Sequence, residues 1–317
     1  MLKAEGPNND ARMLGGRANI KHDPNSAKLP SIFINTAPKS GSVYVSETVQ
    51  RSLGFSFKYI SPGFVPKDMI VPAWIEEFYE SGSTICQEHL DASAHNTQWL
   101  KYYTDRLAVH LRDPRAILLS WTHHLNGQFK RQEYDFLLYV APTPYYVDGY
   151  FTSWNLEQQL DWQIENFMPQ LVSWMNGWVE FQQNEAQKAD GFKILFTTFE
   201  EYKEEAGKGN EEAFFRKFAD FYGIPSDKFN FSPAAKTEET HFRKGEIDEW
   251  KSALTPQQIQ RVNEIIPAEL LARFNWEVPT VSPKPMLAAY SEPQAQSLSE
   301  TSVGQSDEQI VTITNAP

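Results

Sequence analysis

Four short pieces of this 317-residue chain carry side chains suited to holding or moving charge. The first is Thr36-Ala37-Pro38-Lys39-Ser40-Gly41-Ser42, which follows an apolar run and leads into helix-forming sequence. A strand, a small-residue turn and a helix N-terminus present backbone N–H groups with no intrahelical acceptor, which suits an anion. Lys39 adds a fixed cation, and Ser40 and Ser42 add hydroxyls. The Walker pattern, Gly, four residues, then Gly-Lys-Ser/Thr, is missing, which disfavours a P-loop kinase. The second piece is "HLRDPRAILLSW", residues 110–121, in which Arg112 closes a strand and Ser120 follows eight residues later. A guanidinium at a strand end grips a phosphate in bidentate fashion. The third is "FRKGEIDEWK", residues 242–251, where Arg243 and Lys244 precede Gly245. The fourth is "TICQEHLD", with His89 near a strand end, a neutral imidazole at cytosolic pH and so a candidate proton acceptor. Taken singly, each has an ordinary explanation: a surface lysine, an Arg112–Asp113 ion pair, a solvated basic turn, a structural histidine.

The background charge sharpens these pieces. Lys plus Arg number 29 against 41 Asp plus Glu, a net charge of −12. That balance argues against nucleic acid as a partner and makes a local cationic cluster more informative. The one cysteine, Cys86, excludes an intramolecular disulfide and fits a reducing, cytoplasmic setting. No apolar run is long enough for a transmembrane helix, and the N-terminal residues lack the apolar core of a secretory signal. His123 and His124 with Cys86 fall short of a zinc set, so no metal is expected.

The elements that must position these groups alternate. "SIFINTA" reads as a strand, followed by a helix carrying Val45, Val49 and Leu53 on one face and stopping at Gly54. "STICQEHL" and "DRLAVHLRDP" read as the second and third strands, the latter running into a helix with Pro114 in its first turn. Residues 157–187 read as one long helix or a pair bent near Pro169. "GFKILFTTFEEY" reads as a fourth strand entering a polar turn, and helices close the body at 210–225 and 255–274. The expected fold is α/β, a single domain with a central parallel sheet flanked by helices on both faces. Residues 1–28 read as a flexible arm, 29–280 as the domain, and 281–317 as a disordered tail whose "IVTITNAP" is an edge-strand candidate.

Together the pieces resemble the cytosolic sulfotransferases, which use 3′-phosphoadenosine 5′-phosphosulfate (PAPS). The family's Pro-Lys-Ser-Gly-Thr-Thr-Trp turn is matched by Pro38 to Tyr44, and its Arg-x-Pro with a later Ser by Arg112, Pro114 and Ser120. Its Arg-Lys-Gly before Asp-Trp-Lys is matched by Arg243-Lys244-Gly245 and Glu249-Trp250-Lys251. The resemblance spans residues 30 to 275 in order. It implies a P-loop-like phosphosulfate turn in which Lys39, the following amides, Ser40 and Ser42 hold the 5′ end, Lys39 steadying the bridging oxygen. It further implies that Arg112, Ser120, Arg243, Lys244 and Gly245 hold the 3′-phosphate, that His89 is the general base, and that Tyr44 and Phe199 lie by the adenine. PAPS would be the donor, adenosine 3′,5′-bisphosphate (PAP) the product, and no metal is required.

The chain departs from the family at several places. Gln87-Glu88 replace the usual Lys-Thr, Val43 a threonine and Phe199 a tyrosine. Glu88 either raises the His89 pKa or faces the other side of its strand. These departures motivate an alternative, a catalytically impaired nucleotide-binding scaffold. The dimer motif survives only as Lys251, Thr255, Pro256 and Gln260, leaving the oligomeric state open. The acceptor, a small molecule, is expected to meet residues 126–154, with Tyr145, Tyr146, Asp148, Phe151 and Trp154 as contacts beside Glu88. An acidic, aromatic wall suits a cationic or planar acceptor, a guanidinium alkaloid toxin among them.

Overall fold

Alternation along the apolar strands decides the architecture. In the computed structural model, Ile32 and Ile34 of Ile32–Thr36 (β1) enter one buried cluster while Phe33 enters another. Ile85 and Cys86 divide in the same way on Thr84–Glu88 (β3), as do Ala108 and its neighbours Leu107 and Val109 on Arg106–Leu111 (β4). A strand that buries both parities needs cover on both faces, the condition of a parallel sheet. With Ser56–Phe57 (β2) and Lys193–Thr198 (β5), the strands lie in the order β2-β3-β1-β4-β5, all pairings parallel. The structure describes residues 28–62, 69–130, 149–235 and 244–277. The chain divides into two units, Met1–Val278 and Pro279–Pro317, and the described residues all belong to the first. The expected tail and nearly all of the N-terminal arm lie outside the described residues.

The Ile34 side of the sheet is covered by Ser42–Leu53 (α1), Phe199–Gly207 (α7) and Glu211–Phe221 (α8), through Val45, Val49, Tyr202 and the Phe214, Phe215, Phe218 set. The Phe33 side is covered by Pro114–Lys130 (α4), Leu156–Asn166 (α5) and Met168–Ala186 (α6), through Ile117, Leu171, Met175 and Trp178. The stretch 157–187 is thus a helix pair broken at Phe167, with Pro169 in the first turn of α6, where it costs no hydrogen bond. Beyond β5 the expected polar turn is helical instead. Thr198 and Glu201 form a capping box that starts α7, so the acidic residues of the turn sit favourably at a helix N-terminus.

Among the elements with no counterpart in the sequence reading are β2, Pro72–Ser81 (α2) and Ala94–Tyr103 (α3). Their patterns are weak for physical reasons. β2 has two residues, α2 buries only Ile75 and Phe78, and the inward face of α3 is half polar, with Asn96 and Thr97 beside Leu100 and Tyr103. The chain closes with Glu249–Ala253 (α9), Pro256–Ile265 (α10) and Ala268–Arg273 (α11). No helix among the described residues is long and apolar enough to cross a membrane.

A buried ion pair joins this closing segment to the sheet. Arg115, 1% exposed at its side chain, donates from Nη2 to Asp113 at 2.7 Å, and from Nη1 to the Glu277 carbonyl at 3.1 Å. Its guanidinium also lies 4.2 Å from the Trp250 ring centre. Removing one partner of such a pair strands the other charge, so Arg115→Ala is expected to lower unfolding free energy by about 3–5 kcal/mol. Urea denaturation reads this, and a loss below about 1 kcal/mol, the size of an exposed pair, would contradict it.

Candidate active site

The turn between β1 and α1 is held in a shape its sequence does not adopt by default. Lys39 and Gly41 both have positive φ, +58° and +86°. Gly41 is required twice over: a side chain there would be strained, and its Cβ would lie 3.2 Å from the Phe199 ring. Ser40, expected as a hydroxyl donor to ligand, is buried and donates to the Ala37 carbonyl at 2.7 Å, closing the turn from inside. No side chain caps α1, and its first turn contains no acid. Its leading amides are therefore disposed toward an anion, with Lys39 beside them.

Arg112 ties this turn to a distant segment. It stands one residue past β4, donating from Nη1 to the Lys39 carbonyl at 3.1 Å and from Nη2 to the Glu246 carbonyl at 2.7 Å. Phe199 lies beneath the guanidinium, 4.3 Å from its carbon, while the edge of the same ring meets Gly41. The ordinary Arg112–Asp113 pairing does not form. Asp113 accepts instead from the Arg115 backbone N–H at 2.9 Å and from its guanidinium, because it caps the start of α4. The Asp113 N–H is taken by Glu200 at 3.1 Å. Lys244 and Gly245 are thus brought to the turn, with Gly245 at φ +64° and Lys244 paired to Glu249 at 3.0 Å. Arg243 lies outside the described residues.

His89 follows β3 directly and leans on β1. Its Nδ1 lies 2.6 Å from the Thr36 carbonyl and 3.0 Å from the Thr36 hydroxyl. Two indoles on the same face of α6 fix the backbone here: Trp174 donates to the His89 carbonyl at 3.0 Å and Trp178 to that of Leu90 at 2.9 Å. Burial, with the Lys39 ammonium nearby, lowers the His89 pKa to about 4, so the imidazole is neutral near pH 7. Of the two expectations for Glu88, the second fits: its carboxylate is buried on the Cys86 face, accepting from the thiol at 3.7 Å.

The remaining candidates divide. Tyr44 is buried against Tyr202 and Phe215, and its hydroxyl donates to Glu211 at 2.6 Å. Burial and that carboxylate keep the phenol protonated well above its usual range. Ser42 is buried at the start of α1 and Ser120 within α4, about two turns from its start, and Pro38 and Val43 flank the turn. Phe151 is 1% exposed and packs against Trp154 and Trp162, which makes it a core residue. Tyr145, Tyr146 and Asp148 lie outside the described residues. His124 packs against Trp121 with the rings tilted, and no cluster of three or more metal-ligating side chains occurs among the described residues.

A family model described as "Sulfotransferase domain" matches residues 29–275. The chain belongs to that family. No curated protein matches the chain. Among solved structures, the chain is similar to mouse sulfotransferase SULT7A1 complexed with PAP, at 16% identity and a TM-score of 0.46, over 78% of this chain and 85% of that one. The chemistry of the family is sulfuryl transfer.

Sequence reasoning passed over one residue of this sulfotransferase domain that the turn depends on. His110, on β4, is buried; its Nε2–H donates to the Ser40 carbonyl at 3.0 Å, and its Nδ1 accepts from the Thr197 hydroxyl at 2.9 Å. Its own carbonyl accepts from the Ala37 N–H at 2.9 Å, so one strand residue grips the turn at both ends. Only its place one residue before the Leu111-Arg112 pair hinted at this, because a lone histidine in an apolar strand looks like any other. Burial, with the Arg112 charge, lowers its pKa from 6.5 to about 4. An unfolded histidine takes a proton that the folded one refuses. Its share of stability is therefore intact above pH 6.5 and drains away as pH falls to about 4, by at most about 3 kcal/mol. His110→Gln should make denaturation midpoints fall less steeply between those pH values than in wild type. Parallel profiles would contradict the assignment.

Proposed function

We propose that the domain transfers the sulfuryl group of PAPS to a hydroxyl or amine of a small-molecule acceptor. The observation that carries this reading is the pair of hydrogen bonds that Arg112 donates to the Lys39 and Glu246 carbonyls, which draws three chain-distant cationic pieces to one place. A nucleotide with phosphate at both its 5′ and 3′ positions is the ligand that needs all three. In this reading the amides after Lys39 receive the 5′-phosphosulfate. Arg112, the 244–245 loop and Arg243 receive the 3′-phosphate, with Ser120 beside them.

The reaction then follows from charge. The acceptor oxygen or nitrogen attacks sulfur while its proton passes to Nε2 of His89. The bond between sulfur and the bridging oxygen breaks, and the electron pair stays on the departing 5′-phosphate of PAP. Lys39 and the helix amides stabilise the negative charge that grows there. Fixed dipoles and an ammonium supply this without a change of position during the step.

The test is a mass-spectrometric screen with PAPS across cationic planar compounds, guanidinium alkaloids, phenols and simple amines, looking for an added sulfonate. With a working acceptor, His89→Ala is expected to lose about 100-fold or more in kcat with PAP affinity unchanged. Unchanged turnover would remove His89 from the mechanism. Arg112→Ala should weaken PAP about 10- to 100-fold, the worth of a charged hydrogen bond, and weaken 5′-AMP far less. Equal losses by calorimetry would contradict the 3′-phosphate assignment. PAP binding without transfer to any acceptor would favour the scaffold alternative.

A further inference from the structure

We propose that Thr36 and Gln87 form a positioning pair that holds His89 as the tautomer with hydrogen on Nδ1, leaving the lone pair on Nε2. The inference rests on the reading of His89 as the base, and extends it to residues that lie outside the ligand contacts. A carbonyl oxygen only accepts. With the Thr36 carbonyl 2.6 Å from Nδ1, that nitrogen must carry the hydrogen. The ring's other nitrogen is then the basic one.

The hydroxyl of Thr36 is the point at which this arrangement is open to failure. It lies 3.0 Å from Nδ1, and a hydroxyl can donate as well as accept. Were it to donate to Nδ1, the ring hydrogen would move to Nε2 and the base would be blocked. Two contacts oppose that. The hydroxyl hydrogen has an acceptor in the Glu88 carbonyl at 3.2 Å, and the Gln87 amide donates to the same oxygen at 3.0 Å. With the hydrogen directed at Glu88 and one lone pair taken by Gln87, the second lone pair faces Nδ1–H. All three bonds are compatible only with the Nδ1–H form.

The register explains why these residues meet. Gln87 pairs with Ile34 across β1 and β3, and Thr36 lies two residues beyond Ile34 on the same face. Gln87 is 5% exposed and Thr36 is fully buried, so water does not compete for these bonds. Gln87 occupies the position where the resemblance expects lysine. A lysine would donate to the hydroxyl too, but would add a positive charge behind the base and oppose its protonation. The neutral amide keeps the donor and omits the charge. Among the described residues, the Lys39 ammonium on the turn acts on the ring, while Glu88, one residue back, holds its carboxylate on the opposite strand face.

Nitrogen-15 NMR of the full chain labelled at histidine tests this without an acceptor, the His89 signals being identified by their loss in His89→Gln. In wild type at neutral pH, Nδ1 should show the shift of a protonated ring nitrogen and Nε2 that of an unprotonated one. The reverse pattern, or an imidazolium, overturns the inference. Thr36→Val and Gln87→Leu should each move the tautomer ratio toward Nε2–H by roughly 2- to 10-fold, the worth of one neutral hydrogen bond. Thr36→Ser, which keeps the hydroxyl, should restore the wild-type pattern. A general loosening of the site would not separate serine from valine in this way. Wild-type shifts in both Thr36→Val and Gln87→Leu overturn the pair's role. PAP binding by calorimetry, measured on each variant, reports an intact fold. Failure here appears in the ring shifts alone, whereas failure of the base assignment appears in the turnover of His89→Ala.

Discussion

The bonds from Arg112 to two backbone carbonyls are the constraint on which the site depends. A guanidinium stays charged at any pH a protein meets, and its planar fork can serve two acceptors from one fixed position. Here it joins the carbonyl of Lys39, in the turn after β1, to that of Glu246, more than a hundred residues later in the chain. Both acceptors belong to the main chain, so the link fixes backbone and leaves the side chains of those loops to chemistry. The Phe199 ring under the guanidinium fills the space between Arg112 and Gly41. Asp113 would be the obvious competitor for Arg112. It is occupied by the buried Arg115, which is itself fixed by the closing segment. Two arginines three residues apart thus have separate tasks because one aspartate satisfies only the second.

Two neutral histidines, at the ends of the strands on either side of β1, complete the arrangement, and their roles differ. His110 is sealed between β1 and β5 and holds the turn by its Ser40 carbonyl. His89 sits at the end of β3, partly accessible, with its ring held from behind by β1. Both are driven to low pKa values by burial with a cation nearby. For His110 the consequence is acid sensitivity of the fold. For His89 it is a proton acceptor available at neutral pH, at some expense in basic strength. The shared feature, an imidazole nitrogen satisfied by a main-chain carbonyl, converts backbone geometry into a choice of tautomer.

Much of this was legible in the sequence because it is local. The strand, Pro38-Lys39-Ser40-Gly41 and the following helix suit an anion by type and spacing, and the family resemblance adds Arg112 and the Lys244-Gly245 pair. The alternation of strands with helices along the chain announced a parallel sheet covered on two sides. What could not be read was pairing across the chain. Nothing local tells that Arg112 meets Glu246, that Asp113 prefers Arg115, or that Ser40 turns its hydroxyl inward to Ala37. Tyr44 illustrates the same limit: the resemblance put it by the adenine, and nothing local told that its hydroxyl donates to Glu211 on α8. α2 and α3 were missed because their buried faces are short or half polar, so the apolar period that betrays a helix never develops.

The central claim concerns where a doubly phosphorylated adenosine sits, and a crystal structure of the full chain with bound PAP addresses it most directly. The account predicts the 5′-phosphate at the amides following Lys39, and the 3′-phosphate within hydrogen-bonding distance of Arg112 and the 244–245 loop. Density for PAP elsewhere, or with its 3′-phosphate turned toward solvent and away from Arg112, would contradict it.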